Sequence, residues 1–138
     1  MTSRLTETVV DSSDPARLAD FWCAVLGYVV LHSGDEYVEI GPAKLPDAEL
    51  LEGIRSGPVA PALLFVPVPD EKAGKNRLHL DLSPIDTSQA EEVARLEALG
   101  AHRVDIGQGN TKWVVMADPE GNEFCVLRSL APGEFELP

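Results

Sequence analysis

Two segments of the sequence follow the same plan, and this internal repeat is the feature that most limits how the chain can fold. The segment from Asp11 to Gly27 runs from a strand end through a cap and a helix to the pair Leu-Gly. The segment from Asp81 to Gly100 has the same order and also ends in Leu-Gly, and the two terminal glycines are 73 positions apart. That offset is about half of the 138-residue chain, so we expect one α+β domain built from two similar halves.

The first half contains a well-marked helix. Asp14 is a suitable N-cap, Pro15 suits the first helical position, and Gly27 is a natural stop. Apolar residues between them recur at spacings of three and four, as they do along one face of a helix. The pattern therefore predicts a helix over residues 16–26.

The second half contains a helix of the same kind. Residues 88–99 carry an apolar stripe with glutamates on the opposite side. Asp86 and Thr87 offer an N-cap, and Gly100 closes the helix. Such helices cover one face of a sheet, so the other face of the sheet either meets solvent or lines a cleft between the halves.

Strands are predicted by short runs of β-branched and apolar residues that turn signals separate. One run alternates cleanly, so that three leucines, beginning with Leu78, share one face while His79 and Asp81 share the other. Pro67 and Pro69 suggest that the end of the preceding strand lies at a sheet edge. The predicted strands are residues 5–11, 28–31, 37–40, 62–68, 77–83, 101–106, 112–116 and 123–128.

The least regular stretch is residues 41–61, which contains four prolines and three glycines. Within it, residues 47–52 are expected to form one or two helical turns. A loop of this length in a compact domain is usually functional or mobile.

The composition narrows the class of protein and of partner. Hydrophobic residues make up 44% of the chain and charged residues 25%, close to the globular average. The net charge of −12 would repel nucleic acid and anionic membrane, so neither is expected as a partner. No apolar run approaches the roughly 20 residues that a membrane span requires, and the N-terminus lacks the pattern of a secretory signal. Cys23 and Cys125 form no CxxC motif, so we expect reduced thiols and a cytoplasmic protein.

Three motifs resemble those of the vicinal oxygen chelate superfamily, and specifically of its glyoxalase-like and bleomycin-resistance-like branch. The resemblance spans roughly residues 5–130. Its most specific part is the Asp-Pro-x-Gly-Asn turn before the last strand, combined with the helix signature. The motifs are Asp14–Trp22 with Leu26–Gly27, Asn76–Leu82, and Asp118–Phe124.

The resemblance implies a single domain over residues 1–138 made of paired βαβββ modules, the first at about 5–68 and the second at about 77–128. The two modules would form a curved eight-stranded mixed sheet around a cup, which is the glyoxalase, bleomycin-resistance and dioxygenase fold. The resemblance further implies a homodimer that binds a small-molecule ligand in the cup.

In metal-dependent members of the superfamily, residues on the first and last strands of each module hold a divalent ion in the cup. Counting from the matching motifs places these ligand positions on Glu7, His79 and Cys125. The fourth-strand position falls on Leu64 or Phe65, neither of which can bind a metal. Zn²⁺, Ni²⁺ or Fe²⁺ would suit the glutamate and the histidine, and a thiolate would suit Zn²⁺. Because the ligand set is incomplete, the absence of a cofactor is favoured over a divalent ion.

Each candidate residue also has a structural role to weigh against the chemical one. His79 could be a strand histidine hydrogen-bonded to Asp81 or to a backbone carbonyl, and Glu7 could be a solvated strand residue. Cys125 could be a small buried apolar residue, and Trp113 could pack in the core as readily as in a pocket. The residues expected to line the ligand pocket are Trp113, Asp81, Leu64, Phe65 and Cys125.

Two functions remain open at this point. The first is a lyase or isomerase of the glyoxalase-like type, in which His79 beside Glu7 acts as a general base with or without a metal. The second is a non-catalytic protein that sequesters a hydrophobic metabolite or antibiotic, as bleomycin-resistance proteins do. The resemblance argues against glyoxalase I activity, because that reaction needs an acidic final-strand residue where this chain has Cys125. The sequence contains no GxSxG nucleophile motif and no glycine-rich phosphate loop in the required context.

Overall fold

The computed structural model describes residues 3–134, which divide into two compact units between Glu71 and Lys72. Each unit consists of a four-stranded sheet and a helix that connects its first two strands. The first unit contains β1 (Glu7–Ser12), α1 (Pro15–Leu26), β2 (Val29–Ser33), β3 (Val38–Gly41), α2 (Asp47–Ser56) and β4 (Ala62–Pro67). The second contains β5 (Leu80–Leu82), α3 (Gln89–Leu99), β6 (His102–Arg103), β7 (Val114–Ala117) and β8 (Glu123–Val126).

The two sheets have the same topology, so the predicted internal repeat is confirmed. The strand order is β1-β4-β3-β2 in the first unit and β5-β8-β7-β6 in the second. In each sheet the first and last strands of the unit pair in parallel, and the other pairs are antiparallel. Each unit is therefore a βαβββ module, to which the first adds α2, and the predicted α+β class is confirmed.

Helix α1 forms where its sequence signals place it. The Asp14 carboxylate accepts a hydrogen bond from the backbone N–H of Arg17 at 3.3 Å, which satisfies one of the free donors of the first turn. Gly27 ends the helix at φ 70°, a left-handed conformation that glycine adopts without strain. The helix buries Leu18, Ala19, Phe21 and Trp22 in the core of the first unit.

Helix α3 begins at Gln89, one residue later than predicted, because a different residue caps it. The Ser88 hydroxyl accepts a hydrogen bond from the backbone N–H of Glu91 at 3.1 Å. Thr87, which was predicted to cap the helix with Asp86, instead hydrogen-bonds through its hydroxyl to the Glu91 carboxylate. The predicted cap was therefore wrong, and the reason is that three consecutive residues carry side chains able to cap a helix.

Strand β4 lies inside its sheet, between β1 and β3, so the prediction that its end lies at a sheet edge was wrong. Pro67 is tolerated because it is the last residue of the strand and the pairing of β4 with β3 has already ended at Phe65, so its missing N–H breaks no bond to β3. Pairing resumes at the next residue, since the N–H of Val68 donates to the carbonyl of Ser12 at 2.9 Å.

Helix α2 is longer than the one or two turns predicted in this stretch. It runs for ten residues, none of which is buried, and no side chain caps its N-terminus. Arg4 holds the last turn, because its Nε donates to the carbonyl of Ile54 at 2.9 Å. The sequence signals for this helix are weak because a helix that buries no residue needs no apolar stripe, and this one also has no capping side chain.

Strand β5 is shorter than the alternating run predicted over residues 77–83. Leu80 and Leu82 are half-buried in the sheet, whereas Leu78 is 87% exposed. The prediction that Leu78 extends the leucine face was wrong, because the chain joins the sheet only at Leu80. His79 therefore stands directly before the strand rather than in the middle of it.

A buried carboxylate holds the turn between β7 and β8. Asp118 is 1% exposed and accepts hydrogen bonds from the N–H groups of Glu120 and Asn122, both at 2.9 Å. It also accepts one from the Nδ2 of Asn122 at 3.0 Å. Gly121 takes φ 88° at the corner, a conformation that a side chain would strain. The predicted turn is confirmed, and it fixes where β8 begins.

Replacing Asp118 by Ala should destabilise the protein by about 2–4 kcal/mol, because buried donors lose a charged acceptor. Urea denaturation measures the change. Asp105→Ala is the matched control, since Asp105 is exposed and accepts from the N–H of Gly107 in another turn; we expect a loss of less than about 1 kcal/mol there. Equal losses at the two sites would contradict the assigned role of Asp118.

Candidate functional site

Donor side chains of the second unit meet on one side of its sheet. Asp81 of β5 pairs with Cys125 of β8, and Cys125 pairs with Val115 of β7. Side chains paired in this way point to the same side of a sheet. We call the side that carries Asp81, Cys125 and Val115 the donor face. His79, two residues before Asp81, joins the same group.

His79, Asp81 and Cys125 form a compact cluster on the donor face. The Nε2 of His79 lies 3.2 Å from the Oδ1 of Asp81. One candidate ligand atom from each of the three residues lies within 4.8 Å of the other two. The imidazole and the carboxylate are 45% and 49% exposed, whereas Cys125 is 6% exposed. The cluster thus presents two accessible polar groups beside a buried thiol.

The surroundings of Cys125 keep its thiol protonated. Burial raises the pKa of the Cys125 thiol, and the negative charge of Asp81 and a hydrogen bond to its carboxylate raise it further. Lys75 acts on the same pKa in the opposite direction, with less effect. At neutral pH the S–H therefore donates to the Asp81 carboxylate. Because the nucleophile of cysteine chemistry is the thiolate, this arrangement does not activate Cys125 for nucleophilic attack.

Glu123 anchors the segment that leads into His79. Its carboxylate lies 3.1 Å from the Nζ of Lys72 and accepts a hydrogen bond from the N–H of Asn76 at 3.2 Å. Burial alone would raise the pKa of Glu123, but hydrogen bonds from backbone N–H groups and from Lys72 lower it overall. The loop before His79 is thereby tied to the strand that carries Cys125.

The predicted residues of the first unit lie on two different sides of its sheet. By the register of β1 with β4, Glu7 and Leu64 share one side, where Glu7 is exposed and Leu64 is half-buried. Phe65 points to the opposite side and is 0% exposed, which makes it a core residue of the first unit. Among residues 3–134, the donor cluster consists of His79, Asp81 and Cys125, all in the second unit, and the role of Glu7 as a ligand stays a prediction.

Trp113 lies directly before β7 and is 45% exposed. Val115, two residues later, is 2% exposed and pairs with Cys125 on the donor face. Trp113 is thus close in sequence to the donor face, while its role as a pocket residue stays a prediction.

Sequence reasoning placed His79 and Cys125 at ligand positions but gave Asp81 only a place in the pocket. The signal that could have found it is the spacing of His79 and Asp81, since residues two apart on an extended chain point the same way. The pairing of Asp81 with Cys125 then adds the third donor.

The donor set of the cluster suits a zinc-type ion better than a hard one. A catalytic zinc site has three protein ligands and an open position, and the cluster offers one nitrogen, one oxygen and one sulfur. Thiolate ligands favour Zn²⁺, whereas Mg²⁺ and Mn²⁺ prefer oxygen. The residues present therefore fit a divalent ion of this class, which when bound would polarise a carbonyl or water oxygen.

A family profile described as the glyoxalase-like domain matches residues 7–127, which is most of the chain. The chain belongs to the glyoxalase-like domain family. The resemblance found in the motifs is thereby confirmed. No curated protein matches the sequence of this glyoxalase-like chain. None of the helices among residues 3–134 is long and apolar enough to cross a membrane.

Solved structures of low sequence identity share the fold of this glyoxalase-like protein. One is a glyoxalase/bleomycin resistance protein/dioxygenase family enzyme from Burkholderia phytofirmans PsJN, 17% identical with a TM-score of 0.59, covering 90% of this chain and 97% of that one. Another is the fosfomycin resistance protein FosX from Listeria monocytogenes, complexed with Mn(II) and 1S,2S-dihydroxypropylphosphonic acid, at 12% identity and a TM-score of 0.57, covering 94% and 91%. A third is protein ATC0852 from Agrobacterium tumefaciens, at 16% identity and a TM-score of 0.62, covering 94% and 98%.

Replacing Asp81 by Asn should make Cys125 react several-fold faster with iodoacetamide at neutral pH in the presence of a chelator. Removing the carboxylate charge lowers the pKa of the thiol, so a larger fraction is thiolate at a given pH. Mass spectrometry in a Cys23→Ser background follows the single remaining cysteine. Asp105→Asn, at an exposed carboxylate outside the cluster, should leave the rate unchanged. An unchanged rate in Asp81→Asn would refute the coupling.

Proposed function

We propose that this glyoxalase-like protein binds a small organic molecule on the donor face and that His79 serves as the proton-accepting group, as in a lyase or isomerase. The observation that carries the proposal is the contact of 3.2 Å between His79 and Asp81, which orients an imidazole that remains accessible. Asp81 is the carboxylate in contact with His79, and the pairing of Glu7 with His79 stays a prediction.

Asp81 determines which nitrogen of His79 can accept a proton. When the Nε2–H donates to the Asp81 carboxylate, Nδ1 is the acceptor of the neutral ring. The same carboxylate stabilises the imidazolium that forms once Nδ1 has taken a proton. A substrate with an acidic C–H beside a carbonyl, or with a hydroxyl group, would lose its proton to Nδ1.

The second unit exposes large apolar side chains, which favours a ligand with an apolar part. Leu78, which is adjacent to His79 in the chain, is 87% exposed, and Trp113, two residues before Val115, is 45% exposed. Apolar surface of this kind beside a few polar groups is typical of small-molecule sites. The same observation supports the second candidate function, in which a hydrophobic metabolite or antibiotic is sequestered without turnover.

The similarity to FosX lends support to a small-molecule site, because that protein holds a small phosphonic acid on the same fold. Its substrate and its manganese belong to that protein. This chain places a thiol in its donor cluster, so we do not extend the phosphonate or the manganese to it.

The proposal is tested by thermal shift with a panel of small organic acids, carbonyl compounds and aromatic antibiotics. A ligand present at 100 times its Kd should stabilise the wild-type protein by about 2.7 kcal/mol, and His79→Gln should lose most of that gain. The matched control is His102→Gln, because His102 is an exposed strand histidine of the same unit outside the cluster.

Turnover then separates the two candidate functions. Consumption of a bound compound by wild-type protein, lost in His79→Gln, supports the lyase or isomerase, whereas tight binding without consumption supports sequestration. If His79→Gln keeps the full ligand-induced shift, the donor face is not the binding site. A variant that is unfolded before ligand is added would show a structural role for His79 instead.

A further inference from the structure

One side of the first sheet carries a continuous row of side chains that crosses all four strands. The strand register places His32 of β2 beside Glu39 of β3. It places Leu64 of β4 between Glu39 and Val9 of β1. Residues paired in this way point to the same side of a sheet, and neighbouring strands are about 4.8 Å apart, so the row is about 14 Å long. The row therefore sets a carboxylate between an aromatic ring and two aliphatic side chains.

This row lies on the side of the sheet that the core of the first unit leaves uncovered. Helix α1 packs against β2, β3 and β4, and the strand residues of the opposite side are at most 4% exposed: Val38, Ile40, Leu63 and Phe65. By contrast, Val9 is 56% exposed, and Leu64 and Glu39 are only half-buried. We call the side that carries Val9, Leu64 and Glu39 the acidic face. Its side chains are accessible to a ligand.

The carboxylate of Glu39 lacks a partner within the part of the chain that the structure describes. None of the hydrogen bonds and ion pairs among residues 3–134 involves it, although the side chain is half-buried beside Leu64. A charge that has lost part of its hydration is stabilised by an opposite charge placed against it. Glu39 is therefore the point on the acidic face at which a cation gains most.

The charge of the whole acidic face has one sign. Glu7 and Asp11 of β1 are exposed on the same side as Val9, and the four strands of the first sheet contain no lysine or arginine. The resulting negative potential attracts cations. Glu7 and Asp11 are about 13 Å apart along the strand, which is too far for them to share one metal ion. The arrangement therefore suits a cation that spreads over the sheet.

Aromatic and aliphatic groups on either side of Glu39 indicate the rest of the ligand. The rings of His32 and Tyr37 stack with their centroids 4.4 Å apart and an interplanar angle of 31°. The faces of aromatic rings attract cations, and tyrosine is among the residues that bind them. On the other side of Glu39, Leu64 and Val9 offer apolar surface, which stabilises a bound molecule only if that molecule is itself partly apolar.

We propose that the acidic face binds an organic cation, in which a protonated amine lies against the Glu39 carboxylate and an apolar or aromatic body covers Leu64 and Val9. The carboxylate supplies the opposite charge, and the aliphatic side chains supply the apolar contact. All of these residues belong to the first unit. The proposal therefore does not rest on the proposed function, which concerns the donor face of the second unit.

The test titrates the full chain with three compounds of similar size that differ in charge: 2-phenylethylammonium, 2-phenylethanol and 3-phenylpropanoate. Isothermal titration calorimetry at neutral pH and low ionic strength measures each Kd. We expect the ammonium compound to bind at least about tenfold more tightly than the alcohol, because a hydrogen bond to a charged group adds to the apolar contact. The carboxylate compound should bind most weakly. Added salt should weaken binding of the ammonium compound and leave that of the alcohol unchanged.

Three variants separate the charged contact from the apolar one. Glu39→Gln should weaken binding of the ammonium compound about tenfold and leave the affinity for the alcohol unchanged. Val9→Thr keeps the shape of the side chain and adds a hydroxyl group, so it should weaken both compounds by the same factor. Glu49→Gln is the matched control, because it removes an exposed carboxylate of α2 in the same unit and should bind as the wild-type protein does. Circular dichroism confirms that each variant is folded, and the salt dependence of the wild-type protein tests the charged contact without any variant.

Equal affinities of the wild-type protein for the ammonium compound and the alcohol would overturn the proposal. So would binding of the ammonium compound that Glu39→Gln leaves intact, and binding that is lost in His79→Gln instead would assign the cation to the donor face. If the ammonium compound does not bind and sedimentation shows a dimer that Glu39→Lys dissociates, a second copy of the chain covers the acidic face and the proposal is refuted. Failure of the proposed function is a different result, since it would appear as the absence of any ligand that requires His79.

Discussion

The parallel pairing of the first and last strands in each unit is the constraint on which the rest of the structure depends. In the second unit, β5 can lie beside β8 only because α3, β6 and β7 intervene and the turn at Asp118 returns the chain. This pairing sets Asp81 opposite Cys125, although the two residues are 44 positions apart in the sequence. The first unit repeats the arrangement with β1 beside β4, where the residue opposite Val9 is Leu64.

The two units share one backbone arrangement but present different side chains on their sheets. The side of the first sheet that bears Glu7 also carries the exposed Asp11 of β1, the half-buried Leu64 of β4 and Glu39 of β3, which pairs with Leu64. The donor face of the second sheet gathers an imidazole, a carboxylate and a thiol within 4.8 Å. The repeat explains the backbone of both halves, whereas the donor cluster depends on side chains that are particular to the second half.

The sequence was sufficient to predict the elements whose signals are local. The caps at Asp14 and Gly27 and the apolar spacing between them predicted α1, because capping and amphipathic periodicity act within a few residues. Elsewhere, pairing between strands that are distant in sequence determined the strand bounds and positions. The strand predicted over residues 101–106 shrinks to His102–Arg103, because those two residues pair in register with β7 and the pairing then ends with one hydrogen bond from the N–H of Val104 to the carbonyl of Val115. Likewise Pro67 looked like an edge residue until the register showed it at the end of an interior strand.

Part of the candidate site can likewise be predicted from local sequence, and the rest depends on long-range strand pairing. Alternation along the chain is enough to predict that His79 and Asp81 point to one side. That Cys125 lies opposite Asp81, and that Phe65 turns away into the core, follows from sheet register and could not be predicted from spacing alone. The donor cluster needs only strand pairing within one unit.

The thiol at position 125 is what separates this chain most clearly from the pattern that its family resemblance implies. A glutamate on the final strand could act both as a hard metal ligand and as a base, and a buried thiol replaces both properties. Beside Asp81 the thiol stays neutral, so the accessible group to which the proposed function gives the proton-accepting role is the imidazole of His79.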